Sequence, residues 1–313
     1  MTRTTNEIFA KYQVRKTKKQ KTAFIDYVKQ IAECYGYDFT VEKGAFGVRN
    51  IVIGNPDTAK ILYTAHYDTC ARLPFPNFIT PKNFLVYLLY QFFIVGIFFA
   101  LTFGLGFAIG FVLSFIPMSD DVVNVMISFI PTVIYFALFY LLLGGPANKN
   151  TANDNTSGVT TILDIMEKLP QDQKSKVAFV LFDLEEVGLL GSSSFASKHE
   201  AVKNNTLLIN FDCVSDGQTM LFALKGTTKK YAELLEQAFV STPTVAVDIT
   251  GNAFYPSDNA CFKGGIGVAA LKKSKFFGTP YMDRIHTKKD VIYREENVQF
   301  LTNGAIKLAQ SLS

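Results

Sequence analysis

Two long stretches of this 313-residue chain carry no charge: no Asp, Glu, Lys or Arg occurs between Lys82 and Asp120, or between Asp121 and Lys149. A helix on the surface of a soluble protein needs a polar face, whereas about 20 consecutive apolar residues cross a bilayer. Residues 84–116 and 122–143 both exceed that length. They read as two membrane spans; the alternative, a buried helical hairpin in a soluble core, seldom runs so far without a charge. The first stretch is longer than one span needs, leaving room for it to tilt, to lie partly in the interface, or to break at Gly104, Gly106 or Gly110.

Composition matters mainly for its unevenness. Twelve of the 29 phenylalanines fall between Phe84 and Phe139, while the rest of the chain is ordinary. With 49% hydrophobic and 19% charged residues overall, the chain is too apolar for a disordered or coiled-coil protein. The net charge of +4 is mild, and no basic groove interleaved with aromatics points to nucleic acid. The basic run Arg3, Lys11, Arg15, Lys16, Lys18, Lys19, Lys21 lacks the apolar stretch of a cleavable signal and reads as a solvated helix face near anionic headgroups. The four cysteines, Cys34, Cys70, Cys213 and Cys261, have no paired spacing and read as free thiols in a reducing compartment.

Outside the apolar pair, short β-rich runs alternate with helical patterns. A helix is predicted at 23–32, strands at 48–53 and 60–65, a helix at 159–168, strands at 177–184 and 207–211 with a helix starting between them at 187–197, a helix at 231–239, strands at 245–249 and 267–271, and a closing helix at 297–311. Strands alternating with helices imply an α/β sheet covered on both faces, with function at the carboxyl ends of the strands.

Histidine and acidic residues recur at those ends: His66-Tyr67-Asp68 after the second strand, Asn153-Asp154-Asn155 after the apolar insert, Asp183-Leu184-Glu185-Glu186, Asn210-Phe211-Asp212, and Arg284-Ile285-His286. Imidazole and carboxylate together suit zinc, cobalt or manganese. Carboxylates crowded at the ends of apolar strands would repel one another unless cations neutralised them.

These five runs, with Gly191-Ser192 and Pro256-Ser257-Asp258-Asn259, resemble the zinc exopeptidase family of aminopeptidase Y, bacterial leucyl aminopeptidase and glutamate carboxypeptidase, from about Arg49 to the C-terminus. The resemblance implies a three-layer α/β/α sandwich with a mixed, mainly parallel sheet, which the apolar pair, read as a transmembrane hairpin at 83–145, interrupts between 1–82 and 146–313. It implies two zinc ions, with cobalt or manganese as substitutes, and a water between them. His66 and Asp212 would bind one zinc, Glu186 and His286 the other, and Asp154 both. Asp68 would orient His66, and Glu185 would be the general base. The implied activity is hydrolysis of N-terminal residues from peptides. Carboxypeptidase action, glutaminyl cyclase-like acyl transfer and a non-catalytic membrane scaffold are the alternatives, and the oligomeric state is left open.

The chain departs from the family pattern at Asn259, where histidine is usual, and at Ile285, where an aromatic residue is usual. Those departures touch specificity more than metal binding. Residues 276–281 read either as an apolar side-chain pocket or as a packed loop, Cys70 and Cys213 as core residues or oxidation-sensitive neighbours of ligands, and His199 as an ordinary exposed residue. Because His66 and Asp154 would share a metal, the chain must leave the membrane on the side it entered. Arg72, Lys82 and Lys149 flank the hairpin and residues 117–121 carry no positive charge, which places the catalytic part in the cytoplasm.

Overall fold

The computed structural model describes residues 1–274 and 278–312, and the side chains of Asp120 and Ser128 are left aside. The elements run α1 (Arg3–Lys11), α2 (Lys18–Cys34), β1 (Phe39–Lys43), β2 (Arg49–Ile53), β3 (Ile61–His66), α3 (Phe84–Leu113), α4 (Asp120–Gly144), α5 (Gly158–Lys168), β4 (Val177–Phe182), α6 (Leu190–Lys198), α7 (Glu200–Asn205), β5 (Leu207–Phe211), β6 (Thr219–Ala223), α8 (Ala232–Ala238), β7 (Ala246–Thr250), β8 (Gly265–Lys273), β9 (Pro280–Tyr281) and α9 (Glu295–Ser311).

The strands form one sheet in the order β1-β2-β4-β3-β5-β8-β6-β7, with β9 paired to β8. Its centre, β4-β3-β5-β8, is parallel, and the outer strands β2 and β6 join it antiparallel. Alternation along the central strands feeds two cores. Tyr63, Phe179, Leu181, Ile209 and Phe211 face α2, α5, α8 and α9, while Leu62, Ala178, Val180, Phe182 and Leu208 face α6 and α7. Strands buried on both faces explain the unbroken apolar runs at 177–182 and 207–211. The result is an α/β fold with helices on both sides of a mixed, mainly parallel sheet.

The connection from β3 by way of α5 moves to β4, and the next, by way of α6 and α7, returns past β3 to β5. This reversal opens a crevice at the carboxyl end of β3, where ligands of such sheets bind. Strands β1 and β6 and helices α1 and α7 add to the predicted elements. β1 is paired on one side only and is not fully buried, so its sequence lacks the apolar run that marks the inner strands.

The basic N-terminal run is not a solvated face throughout. Arg15 is fully buried, donating to the carbonyls of Tyr67 and Tyr12, and Lys21 is buried in an ion pair with Asp183. Removal from water pulls the Arg15 guanidinium down to about 10, against the charges of Asp68 and Asp154. His199 is likewise not an exposed surface residue. Its side chain is 14% exposed, clamped between Asp57 (2.8 Å) and Glu42 (2.9 Å), and it stacks on Phe195.

Helices α3 and α4 pair with each other and leave most of their large apolar side chains uncovered. Both are long and apolar enough to cross a membrane. At their crossing Gly106 leaves just enough room for Pro131, whose Cγ would lie 3.1 Å from an added Cβ. The roots of the pair are anchored: Tyr90 donates to the Pro76 carbonyl, Phe84 packs edge-on to Phe254 (5.3 Å), and Lys16 donates to the Leu143 carbonyl (2.8 Å).

Candidate metal centre

The cluster is assembled from five separate chain segments that meet at the crevice. His66 ends β3 and is buried, its Nδ1 3.2 Å from the Asp68 carbonyl oxygen and 3.6 Å from the Asp68 carboxylate. That carboxylate accepts the backbone N–H groups of Glu185 (3.0 Å) and Glu186 (3.3 Å), so it ties the β3 loop to the β4 loop. The tight turn after β4 needs left-handed backbone at Leu184 and Leu189, and Cys213 and His286 are left-handed as well. Such conformations cost on the order of 1–3 kcal/mol each and cluster where surrounding structure fixes a site.

Asp154 sits in the turn Ala152–Ser157 that leads into α5, with extended rather than helical backbone (φ −111°, ψ 99°). Its neighbours hold it from three directions. Asp290 accepts the N–H groups of Asn153 (2.7 Å) and Asp154 (3.0 Å). Asn153 accepts those of Ser215 and Asp216, and Asn155 joins the carbonyl of Phe211 to the N–H groups of Gly158 and Cys213. Gly158 must be glycine, because an added Cβ would lie 2.3 Å from the Phe211 carbonyl oxygen.

Asp154 lies between the two histidines. One oxygen is 3.2 Å from His66 Nε2 and the other 2.9 Å from His286 Nε2. Asp212 lies 3.5 Å from His66 Nε2, and Glu186 3.2 Å from His286 Nε2. His66, Asp154 and Asp212 thus form one group of converging donors, Asp154, Glu186, His286 and Cys70 a second, and His66, Glu185 and Glu186 a third. Donors at zinc distance, about 2.0–2.2 Å, around a tetrahedral ion stand about 3.3 Å from each other, close to the separations here. Among the described residues the buried Glu186 Oε1 has no hydrogen-bond partner, so the donor set leaves a carboxylate oxygen for a cation to bind. The donor set fits divalent metal.

Electrostatics agree. Removal from water, reinforced by neighbouring carboxylates, raises Glu185 well above the usual range and Glu186 to about 8. Burial alone would depress both histidines, but surrounding carboxylates hold His286 up to about 9 and His66 well above its ordinary value. Asp154, flanked by both, is held below the usual range despite its burial.

All seven residues singled out in the sequence, His66, Asp68, Asp154, Glu185, Glu186, Asp212 and His286, meet in this crevice. Asp290, Asn153, Asn155 and Cys70 were not among them, although Asp290 stands only four residues after His286 and the others beside proposed ligands. Asp258 is fully buried near the cluster, and burial raises it to about 7. Ile285 packs in a core cluster with Met282 and Tyr255, and Asn259 accepts the Ser257 N–H, so neither departure places an exposed side chain over the metal donors. Phe276 and Phe277, in the stretch read either as a pocket or as a packed loop, lie outside the described residues.

Solved structures share this fold. Legionella pneumophila LapA aminopeptidase superposes with a TM-score of 0.57 at 15% identity, over 99% of this chain and 70% of that one. Porphyromonas gingivalis glutaminyl cyclase gives 0.55 at 15% identity, over 99% and 98%. A Zn-dependent exopeptidase from Parabacteroides distasonis gives 0.51 at 15% identity, over 98% and 97%. The model of peptidase family M28 matches residues 137–309, more than half of the chain and most of the donor loops. With the sheet topology and the clustered donors, that match makes the chain a member of peptidase family M28.

Proposed function

We propose that this M28 peptidase is a two-zinc aminopeptidase tethered to a membrane by the α3–α4 hairpin. The observation that carries the metal reading is Asp154, one oxygen toward each histidine. His66, Asp154 and Asp212 would hold one zinc, and Asp154, Glu186 and His286 the other, with cobalt or manganese as substitutes for the same donors. Bound zinc would polarise the scissile carbonyl, acidify water and stabilise the oxyanion.

The chain's own residues do the rest. Glu185 is partly exposed in the crevice, and the only hydrogen bond described for its carboxylate is a long one, 3.5 Å, from the Ser257 hydroxyl. A carboxylate so placed takes a proton from the attacking water and passes it to the leaving amine. Asp68 is a positioning residue: by accepting the Glu185 and Glu186 N–H groups it fixes the backbone from which the base and a metal ligand diverge.

The tether rests on α3 and α4, on Tyr87 and Tyr90 near the start of α3, where interfacial aromatics anchor spans, and on the flanking Arg72, Lys82 and Lys149. The apolar surface of the pair requires a lipid or protein cover. On this reading residues 1–82 and 146–313 form one cytoplasmic catalytic domain.

The test is a panel of free, N-blocked and N-terminal-glutamine peptides given to the purified full chain with and without zinc. Release of N-terminal residues from free peptides is expected, and Glu185→Gln should lower turnover by about 10²–10⁴-fold with metal content retained. Unchanged turnover would remove Glu185 from the role of base. The LapA match supports hydrolysis, while the glutaminyl cyclase matches cover as much of this chain. Loss of ammonia from N-terminal glutamine without hydrolysis of other peptides would move the assignment to cyclisation.

A further inference from the structure

Cys70 is absent from the ligand set read from the sequence, yet its sulfur lies within 4.8 Å of the converging donor atoms of Asp154, Glu186 and His286. It is 2% exposed. Among the described residues its thiol makes no hydrogen bond, unlike Cys213, which donates to Asp212 at 3.1 Å. The backbone around it is pinned. The Cys70 carbonyl accepts the Asn148 N–H at 3.1 Å, Ala71 pairs with Ala147, and the Thr69 hydroxyl accepts the Arg15 N–H at 3.1 Å. A small apolar residue would fill a core position as well as a thiol does. A thiol aimed at three metal donors has a chemical use there. Glu186, with a side chain 7% exposed and Oε1 lacking a hydrogen-bond partner among the described residues, marks the same spot as suited to a cation.

We propose that Cys70 is the fourth protein donor of the His286-side metal position, an inference that rests on the metal centre described above. Binding there breaks the S–H bond; the proton leaves to solvent and the sulfur lone pair forms the bond to the metal, with no change of oxidation state. Asp154, Glu186, His286 and Cys70 would then make a four-donor position, which takes the shared water only as a fifth ligand. His66, Asp154 and Asp212 supply three donors and leave a place open for water or substrate. The two positions are therefore unequal: the softer, sulfur-bearing one favours zinc or cobalt over manganese and magnesium, and is the one that loses its metal when the thiol is oxidised.

The full chain, purified in detergent, stripped of metal and reloaded with cobalt, should show the intense near-ultraviolet charge-transfer absorption of a thiolate on cobalt. Cys70→Ser should abolish that band, while Cys213→Ser and Cys261→Ser keep it. A measurement without any variant backs this up: X-ray absorption of the zinc-loaded protein should contain a sulfur shell at about 2.3 Å. Two bound metals with no sulfur shell, or a band that survives Cys70→Ser, overturns the proposal and leaves the metal centre standing. A protein that binds no metal in elemental analysis overturns the centre itself.

Discussion

Asp290 offers the sharpest test of how the centre is held. Its carboxylate accepts two backbone N–H groups, of Asn153 at 2.7 Å and Asp154 at 3.0 Å, and all three residues are at most 2% exposed. Asp290→Ala removes both acceptors where water cannot replace them. An unsatisfied buried donor costs about 1–3 kcal/mol, so two cost about 2–6 kcal/mol, a large share of the roughly 5–15 kcal/mol by which a folded domain is stable. Asp290→Asn keeps one acceptor oxygen and turns an amide toward the other N–H, so it should cost about 1–3 kcal/mol. The turn that aims Asp154 loses its anchor in both variants, and zinc affinity should fall by about 10–100-fold, as for other groups that orient ligands. Denaturant unfolding with and without chelator, together with competition titration of zinc, reads both quantities. If Asp290→Ala unfolds within about 0.5 kcal/mol of the parent, the range of a surface change, and binds zinc equally well, the anchoring argument is wrong.

Three further outcomes follow from other parts of the molecule. In the metal-free protein His286 and Glu186 bind protons more tightly folded, at about 9 against 6.5 and about 8 against 4.5, so their contribution is full in acid and is lost as pH rises from about 4.5 through 9. The unfolding midpoint of chelated protein should fall across that window, and the gain from zinc should widen; a midpoint that rises would contradict the assignment. Phe179 is fully buried between Tyr37 (5.7 Å) and Tyr63 (6.2 Å), so Phe179→Ala should cost about 3–5 kcal/mol in denaturant unfolding. For the hairpin, a cysteine at Ser119 in a chain lacking the native cysteines should react with an impermeant reagent only from the side opposite the catalytic domain; labelling from the catalytic side would sink the two-span topology.

How much could be read without coordinates depended on the kind of signal. Periodicity and uncharged length are local properties, so the inner strands at 177–182 and 207–211, the terminal helix and the apolar pair were all visible in the chain. The edge strand β1 was not, since a half-exposed strand has no continuous apolar run. Of the seven site residues, His66, Asp68, Glu185, Glu186 and Asp212 stood out because they follow apolar strand runs, and motif order supplied the place of Asp154 and His286 and the roles of all by resemblance.

Tertiary structure decided what no period encodes. Asp290 and Asp154 are 136 positions apart, His66 and Asp212 nearly 150, and their meeting follows from a sheet that places β3 between β4 and β5. The same long-range geometry buries Arg15 and Lys21, which looked like solvent-facing charges, because their partners are carbonyl and carboxylate groups of distant loops. It also turns Cys70 from one free thiol among four into a donor group beside Glu186 and His286. The chain by itself determined an α/β sheet, an apolar hairpin and a set of metal-capable side chains. Only the folding of remote segments onto one crevice decided which of them converge, because hydrogen bonds and metal donors act through space and leave no periodic trace in the sequence.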